Sequence, residues 1–281
     1  MKRILIALLI VLLVLVAFSA AIVALLDAEG GEKIALVYVK GPIFDVREKV
    51  KEIKEYGQDD SIKAIILRVD SPGGAVAPSQ ELYNEVSRVG EIKVVVVSMG
   101  TVAASGGYYI SAPAEMIMAN PGTLTGSIGV IMEIPNVEGL MEKVGLKTEV
   151  IKSGKHKDMA SSLRKMRPED RELLQGIIDD VYMQFVEDVA ASRGMELDIV
   201  KELADGRVFT GKQALDAGLV DELGGLEDAI RRTAEMAGIE GEPKVVTKKE
   251  KLSIWDSIEG KIGGSMPDMF PYLKLSYIIN P

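Results

Sequence analysis

The fold is decided by residues 94–109, which read Val94-Val95-Val96-Val97-Ser98-Met99-Gly100-Thr101-Val102-Ala103-Ala104-Ser105-Gly106-Gly107-Tyr108-Tyr109. Four consecutive valines predict a strand buried on both faces, which is typical of parallel sheets. Ser105 follows the strand at the point where a helix can begin. Exposed backbone N–H groups at such a turn can hold an oxyanion, so Ser105 is a candidate nucleophile. The alternative is a small-residue helix packed closely against a sheet.

Strands and helices alternate along most of the chain, which predicts an α/β fold with a parallel sheet. The predicted strands are Lys33–Val39, Ala64–Val69, Lys93–Ser98, Glu115–Ala119, Lys147–Ile151 and Lys244–Thr247. The predicted helices are Val46–Tyr56, Ser79–Val89, Val137–Val144, Pro168–Arg193, Leu197–Leu203, Lys212–Ala217 and Leu226–Ala237. Ligands in such sheets bind at the carboxyl ends of strands. We therefore expect the Ser71–Gly74 loop and the Ser105 turn to face one site.

An uncharged run from Ile4 to Leu26 follows Met1-Lys2-Arg3. As a helix it would span about 35 Å, enough for a hydrocarbon core of about 30 Å. It exceeds the roughly 7–15 apolar residues of a secretory signal, so we expect a retained anchor. Lys2 and Arg3 predict a single-pass protein of the cell membrane, with a cytoplasmic N-terminus and the chain after Asp27 outside the cytoplasm. The predicted parts are the N-terminus 1–3, the anchor 4–26, a linker 27–32, a main domain 33–248 and a tail 249–281.

Composition excludes several classes of function. The formal net charge of −9 leaves no basic stripe that could track phosphates, so we expect no nucleic-acid partner. The chain has no cysteine, which excludes a disulfide framework, a thiolate zinc site and a cysteine nucleophile. His156 is the only histidine, so a histidine-rich metal site is also excluded.

A serine nucleophile needs a base, and the segment Ser153-Gly154-Lys155-His156-Lys157-Asp158 offers a histidine and lysines. A lysine base must be neutral, which means lowering its pKa from about 10.4 to about 7–8, or roughly 4 kcal/mol. From the residues alone either His156 or a lysine could serve. A solvated basic turn without a catalytic role is the competing interpretation.

Four motifs in fixed order carry a specific resemblance over about residues 33–247. They are Ser71-Pro72-Gly73-Gly74, Ala103-Ala104-Ser105-Gly106-Gly107-Tyr108-Tyr109, Thr125-Gly126-Ser127-Ile128-Gly129 and Ser153-Gly154-x-x-Lys157-Asp158. Together they resemble peptidase family S49, the signal peptide peptidase A family of serine–lysine membrane proteases with the ClpP/crotonase fold. The resemblance implies Ser105 as nucleophile, Lys157 as general base and Ser127 as the residue that orients Lys157. It also implies an oxyanion hole made by the N–H groups of Gly74 and Gly106.

The same resemblance implies a parallel-sheet spiral fold and a membrane-anchored serine endopeptidase that needs no metal or cofactor. Its substrates would be signal peptides left in the membrane after their release, and other hydrophobic peptides. Its partners would be the lipid membrane and further copies in a ring-like homo-oligomer. The alternatives are a membrane protease that cleaves a stomatin-like partner, a non-proteolytic acyl-CoA enzyme of the crotonase fold, and a membrane scaffold without activity.

The tail after Leu252 is too apolar for a solvated segment and too broken by glycine and proline for one long helix. We expect either packing on a neighbouring subunit or the membrane, or binding as an extended strand in the active-site groove. Extended peptides add to sheet edges through main-chain hydrogen bonds. The Leu273–Ile279 end resembles what a protease for hydrophobic segments should bind, and we therefore hypothesise that the enzyme cleaves its own tail.

Overall fold

The structure is a computed structural model that describes residues 12–19, 32–248 and 276–278. Residues 12–19 are helical, and the rest of the predicted anchor 4–26 lies outside the described residues. Within the described ranges, no helix is long and apolar enough to cross a membrane.

One mixed sheet organises residues 32–248. Its strands are β1 (Lys33–Lys40), β2 (Ile62–Ser71), β4 (Val94–Ala104), β5 (Met116–Ala119), β6 (Leu124–Gly126), β7 (Val208–Thr210), β8 (Glu222–Leu223) and β9 (Lys244–Val246). Two further strands, β3 (Gly73–Ala75) and β10 (Ser276–Ile278), pair with each other. The main order is β7-β6-β4-β2-β1-β9; off this path, β5 pairs with β4 and β8 pairs with β5. Among the described residues, the strand pairs of this sheet are parallel except β6 with β7.

The helices cover both faces of the sheet. They are α1 (Arg47–Gln58), α2 (Val76–Gly90), α3 (Gly106–Tyr109), α4 (Glu138–Lys143), α5 (Pro168–Arg193), α6 (Leu197–Leu203), α7 (Gly211–Asp216) and α8 (Leu226–Met236). Alternate strand residues enter two separate apolar clusters, as Val37 does with α2 and α5, and Leu36 with α8. The parallel α/β fold expected from the alternation is confirmed.

β4 is the central strand and has different neighbours along its length. Its first half pairs with β5 at residues 96–98, whereas residues 102–104 pair with β6. The valines are buried because β2 lies alongside on the other edge and helices cover both faces. The change of partner carries the end of β4 away from β5 and sets Ser105 between β6 and the β2–β3 loop.

One predicted strand needs correction. The strand predicted at Lys147–Ile151 is wrong, since no element forms there and Ile151 is 97% exposed. The segment after α4 packs no apolar side chain into the core, so alternation alone could not make a strand of it. The tail, whose sequence fits neither the helical nor the strand period cleanly, contributes β10.

Candidate active site

Ser105 lies in a sharp turn between β4 and α3. Its backbone has φ 54° and ψ −118°, a conformation that costs a non-glycine residue about 1–3 kcal/mol. Its N–H donates to the Gly126 carbonyl over 2.7 Å, and its carbonyl accepts from the Tyr109 N–H over 2.8 Å. The surroundings thus hold Ser105 in a strained position at a strand–helix junction, the geometry that presents a nucleophilic hydroxyl.

Ser127 shares this strain. Within the described part of the chain, Ser105 and Ser127 are the two non-glycine residues with positive φ, and Ser127 has φ 50°. Its N–H donates to the Arg207 carbonyl over 2.8 Å. Because Gly126 accepts the hydrogen bond from Ser105 and immediately precedes Ser127, the two serine turns are coupled through one peptide unit.

Gly74 lies on β3, which is held against Ile43. The Ile43 N–H donates to the Gly73 carbonyl and the Ala75 N–H to the Ile43 carbonyl, both over 2.8 Å. A Cβ at Gly74 would lie 2.1 Å from the Ile43 oxygen, so only glycine permits this approach. Since these bonds use the Gly73 carbonyl and the Ala75 N–H, strand alternation directs the N–H and carbonyl of Gly74 to the opposite edge.

Gly106 brings the helix start against the same strand. A Cβ there would lie 2.8 Å from Ser79 Oγ and 3.2 Å from both Gly73 Cα and Gly74 N. The Gly73 N–H donates to Ser71 Oγ over 3.1 Å. The N–H groups of Gly74 and Gly106 are therefore neighbours beside Ser105, whereas that of Gly73 is already bonded to a side chain.

The tail pairs with the edge of β3 that faces away from Ile43. β10 pairs with β3 in antiparallel register, with Ser276 opposite Ala75, Tyr277 opposite Gly74 and Ile278 opposite Gly73. Because the Gly74 N–H points to this edge, the register sets the Tyr277 backbone carbonyl against it. Added strands of this kind are a common way to bind an extended peptide.

Lys157 lies outside this group. It sits in a turn between α4 and α5, its side chain is exposed, and its N–H donates to the Gly154 carbonyl over 3.2 Å. Its ammonium makes no hydrogen bond or ion pair with any residue that the structure describes. Ser105, Gly74, Gly106 and the Ser127 turn are thus brought together, whereas Lys157 makes no hydrogen bond or ion pair with any of these residues.

The charged residues around Lys157 were not predicted from the sequence. Asp170, at the start of α5, has a fully buried side chain that is bonded to Arg164, Arg167 and His156. Hydrogen bonds from Arg167 and then Arg164 hold the pKa of Asp170 below its usual range, although burial opposes them. The signal in the sequence was a run of basic residues at 164, 165 and 167, followed at once by two acidic residues at 169 and 170, on either side of the helix-starting Pro168.

Ser127 lines a cavity of about 490 Å³. Apolar side chains contribute much of its wall, and Asp205 and Glu133 supply charge. Within residues 12–19, 32–248 and 276–278, no group of three or more histidine or acidic residues is arranged to hold a metal ion.

Comparisons with known proteins agree with this geometry. The family model described as Peptidase family S49 matches residues 88–240, and that described as Clp protease matches residues 45–123. A Synechocystis relative is 48% identical over 210 residues, which cover 74% of this chain and 76% of its own. Protease 4 of Salmonella typhi is 34% identical over 259 residues, 86% of this chain and 41% of that protein. The chloroplastic serine protease SPPA of Arabidopsis thaliana is 37% identical over 238 residues, 81% of this chain and 35% of that protein.

The S49 model covers more than half of the chain, and the matched residues include β4, Ser105 and the Ser127 turn. The Clp protease match fits the α/β fold with its parallel-rich sheet. The chain therefore belongs to peptidase family S49 and is a serine protease.

Proposed function

We propose that this protein is an endopeptidase in which Ser105 and Lys157 form the catalytic dyad and the substrate lies as an extra strand along Gly73–Ala75. The observation that carries the proposal is the antiparallel pairing of β10 with β3 directly beside Ser105. A peptide in that position has its backbone fixed by main-chain hydrogen bonds, which do not depend on its sequence. This suits an enzyme for many hydrophobic peptides.

The chemistry is acyl transfer. Neutral Lys157 accepts the Ser105 proton as Oγ attacks the peptide carbonyl carbon, and the carbonyl oxygen becomes an oxyanion. The N–H groups of Gly74 and Gly106 stabilise that oxyanion. Lys157 then gives its proton to the leaving amine, and water hydrolyses the acyl-enzyme. Ser127 would hold the lysine amine in place.

Labelling with a fluorophosphonate tests the nucleophile. We expect mass spectrometry to find the adduct on Ser105, and Ser105→Ala to lose peptide hydrolysis while its melting temperature is retained. Gly176→Ala, where an added Cβ meets nothing within 4 Å, is the matched control and should label normally. Labelling elsewhere, or hydrolysis by Ser105→Ala above the uncatalysed rate, would remove Ser105 from its role.

We also propose that the enzyme shortens its own tail. With the Tyr277 carbonyl against the Gly74 N–H, the bond that would be cleaved is Tyr277–Ile278. Intact mass should then show the wild type ending at Tyr277 and the Ser105→Ala protein ending at Pro281. Retention of Pro281 by both proteins after long incubation would leave β10 as a bound strand that is not a substrate.

For the location of the enzyme we propose the predicted single-pass anchor, residues 4–26, with the catalytic domain outside the cytoplasm. Its substrates would then be signal peptides remaining in the membrane. Deletion of residues 1–31 should release the protein from membranes without lowering hydrolysis of a soluble apolar peptide. Cleavage of one site in a single stomatin-like protein, with no cleavage of varied apolar peptides, would favour the narrower protease instead.

A ring-like homo-oligomer is the proposed assembly. It is supported by apolar side chains that the fold leaves exposed on α4 and on the segment that follows it: Leu140, Val144, Leu146, Val150 and Ile151. Such a patch is a usual mark of a protein contact. Light scattering should give a mass of several copies, and Leu140→Ser with Ile151→Ser should lower it. Mixing Ser105→Ala with Lys157→Ala protein then tests whether one copy supplies the lysine of another, since recovery of activity requires it.

A further inference from the structure

Lys157 sits in a turn without regular secondary structure, yet the backbone on both sides of it is fixed by arginines. Arg167 Nη2 donates to the Lys155 carbonyl over 2.8 Å. Arg164 Nη2 donates to the Asp158 carbonyl over 2.7 Å. These bonds hold the chain two residues before and one residue after the lysine. The position of the Lys157 Cα thus depends on where the two guanidinium groups lie.

The buried carboxylate of Asp170 fixes the positions of both guanidinium groups. Asp170 accepts from Arg164 Nη2 over 2.8 Å, and from Arg167 Nε and Nη2 over 2.8 Å each. The bidentate contact with Arg167 fixes the plane of that guanidinium as well as its distance. His156 Nδ1 adds a contact of 3.1 Å on the exposed side. Asp170 belongs to the first turn of α5, so the network ties the lysine turn to a long, regular helix.

The network also arranges charge around the lysine. Asp158 pairs with Lys152 and Arg164, and Glu169 pairs with Lys155. The carboxylates near the turn are therefore engaged by other cations, and none of the described ones is bonded to Lys157. A carboxylate in contact with a lysine stabilises its charged form and hinders its action as a base.

We infer that Asp170 is a positioning residue for Lys157, acting through Arg164 and Arg167. The inference rests on the proposed Ser105–Lys157 dyad. Loss of the Asp170 charge frees both arginines from their common anchor and releases the carbonyls of Lys155 and Asp158. The lysine amine then samples positions from which proton transfer is slow, whereas the strand Gly73–Ala75 still binds substrate.

The test is Asp170→Asn in the full-length enzyme, measured by the rate constant of fluorophosphonate acylation and by kcat and KM for an apolar peptide. Misplacement of a catalytic group by about 1 Å costs about 100-fold, so we expect acylation and kcat to fall by about 10- to 100-fold together. KM should stay within about twofold of the wild-type value. A purely structural loss would instead lower the fraction of labelled sites without changing the rate constant of the remainder.

Asp228→Asn is the matched control. Asp228, like Asp170, accepts a hydrogen bond from an arginine, Arg231, but it lies on α8 and its other bond comes from the Gly225 N–H. The Asp228→Asn enzyme should keep the wild-type rate constant of acylation. Arg167→Lys covers the case in which Asp170→Asn fails to fold, because lysine keeps the charge but cannot bond Asp170 and the Lys155 carbonyl in the same bidentate way. We expect its acylation to slow by about 3- to 10-fold.

Lys157→Ala separates this inference from the dyad itself. If Lys157→Ala is slow and Asp170→Asn adds no further loss to it, the two residues act through one step, as the inference requires. If Lys157→Ala is slow but Asp170→Asn and Arg167→Lys both acylate at the wild-type rate, the inference is wrong and the dyad stands. Wild-type acylation by Lys157→Ala would overturn the dyad, and the inference with it.

Discussion

Gly74→Ala should inactivate the enzyme through one methyl group. A Cβ at this position would lie 2.1 Å from the Ile43 carbonyl oxygen, where ordinary contact begins at 3.4 Å. β3 and Ile43 must therefore separate by about 1.3 Å, which removes the Gly74 N–H from the position of the oxyanion. Loss of one oxyanion donor lowers kcat by about 100- to 1,000-fold.

The same displacement breaks two backbone hydrogen bonds, from the Ile43 N–H to the Gly73 carbonyl and from the Ala75 N–H to the Ile43 carbonyl. At about 1 kcal/mol each, the free energy of unfolding should fall by about 2 kcal/mol. The free energy of unfolding of a native domain is about 5–15 kcal/mol, so the variant should remain folded after this loss.

Peptide hydrolysis and thermal unfolding, measured on the same preparation, check this prediction. Gly176→Ala in α5 is the matched control, because its methyl group would meet open space. It should keep the wild-type kcat and gain about 0.5–1 kcal/mol of stability. A folded Gly74→Ala enzyme with kcat within about threefold of the wild type would refute the assignment of Gly74 to the oxyanion hole.

Three further outcomes are expected. Lys157→Arg should be as inactive as Lys157→Ala in peptide hydrolysis, because a guanidinium group does not deprotonate and cannot accept the serine proton; an active Lys157→Arg enzyme would refute the dyad. His156→Ala should keep most of the activity, since Asp170 retains both arginines when the 3.1 Å contact to His156 Nδ1 is lost; a loss as deep as that of Ser105→Ala would transfer the base to the histidine. Arginine hydrogen bonds lower the pKa of Asp170 in the folded state, so the stability they contribute is present above the unfolded pKa of about 3.9 and is lost as the pH falls below it. The melting temperature of the wild type should therefore exceed that of Asp170→Asn by a constant margin at neutral pH, and this margin should shrink below about pH 4; a margin that persists in strong acid would contradict it.

Much of the fold could be predicted because the signals are local. The valine run of β4 is buried on both faces, and Pro168 and Gly194 bound α5 as a first-turn proline and a left-handed cap. The change of partner along β4 could not be predicted in this way. It depends on β6 and β5 competing for the same edge, which is a matter of long-range contacts.

The tail is a second case in which the sequence does not predict the pairing partner. Its composition predicts binding to some surface, and an extended strand near Leu273–Ile279 was one of two expected outcomes. The register of Tyr277 opposite Gly74 could not be read from the tail, because three residues have no alternation that distinguishes one partner from another. The partner is selected by β3. One edge of β3 is bonded to Ile43, and the opposite edge remains for the tail to pair with.

The candidate site divides in the same way between local and distant determinants. Ser105 and Ser127 were named from short motifs, and the structure gives both of them the positive φ that such motifs need. The strain is sustained by contacts from elsewhere: the Gly126 carbonyl receives the Ser105 N–H, and the Arg207 carbonyl receives that of Ser127. Lys157 has no comparable restraint of its own. Its turn is held through Arg164 and Arg167 by Asp170, thirteen positions further along the chain. A motif that ends at Asp158 therefore contains the proposed base but omits the residue that fixes its backbone, which is why the sequence named the lysine and missed its anchor.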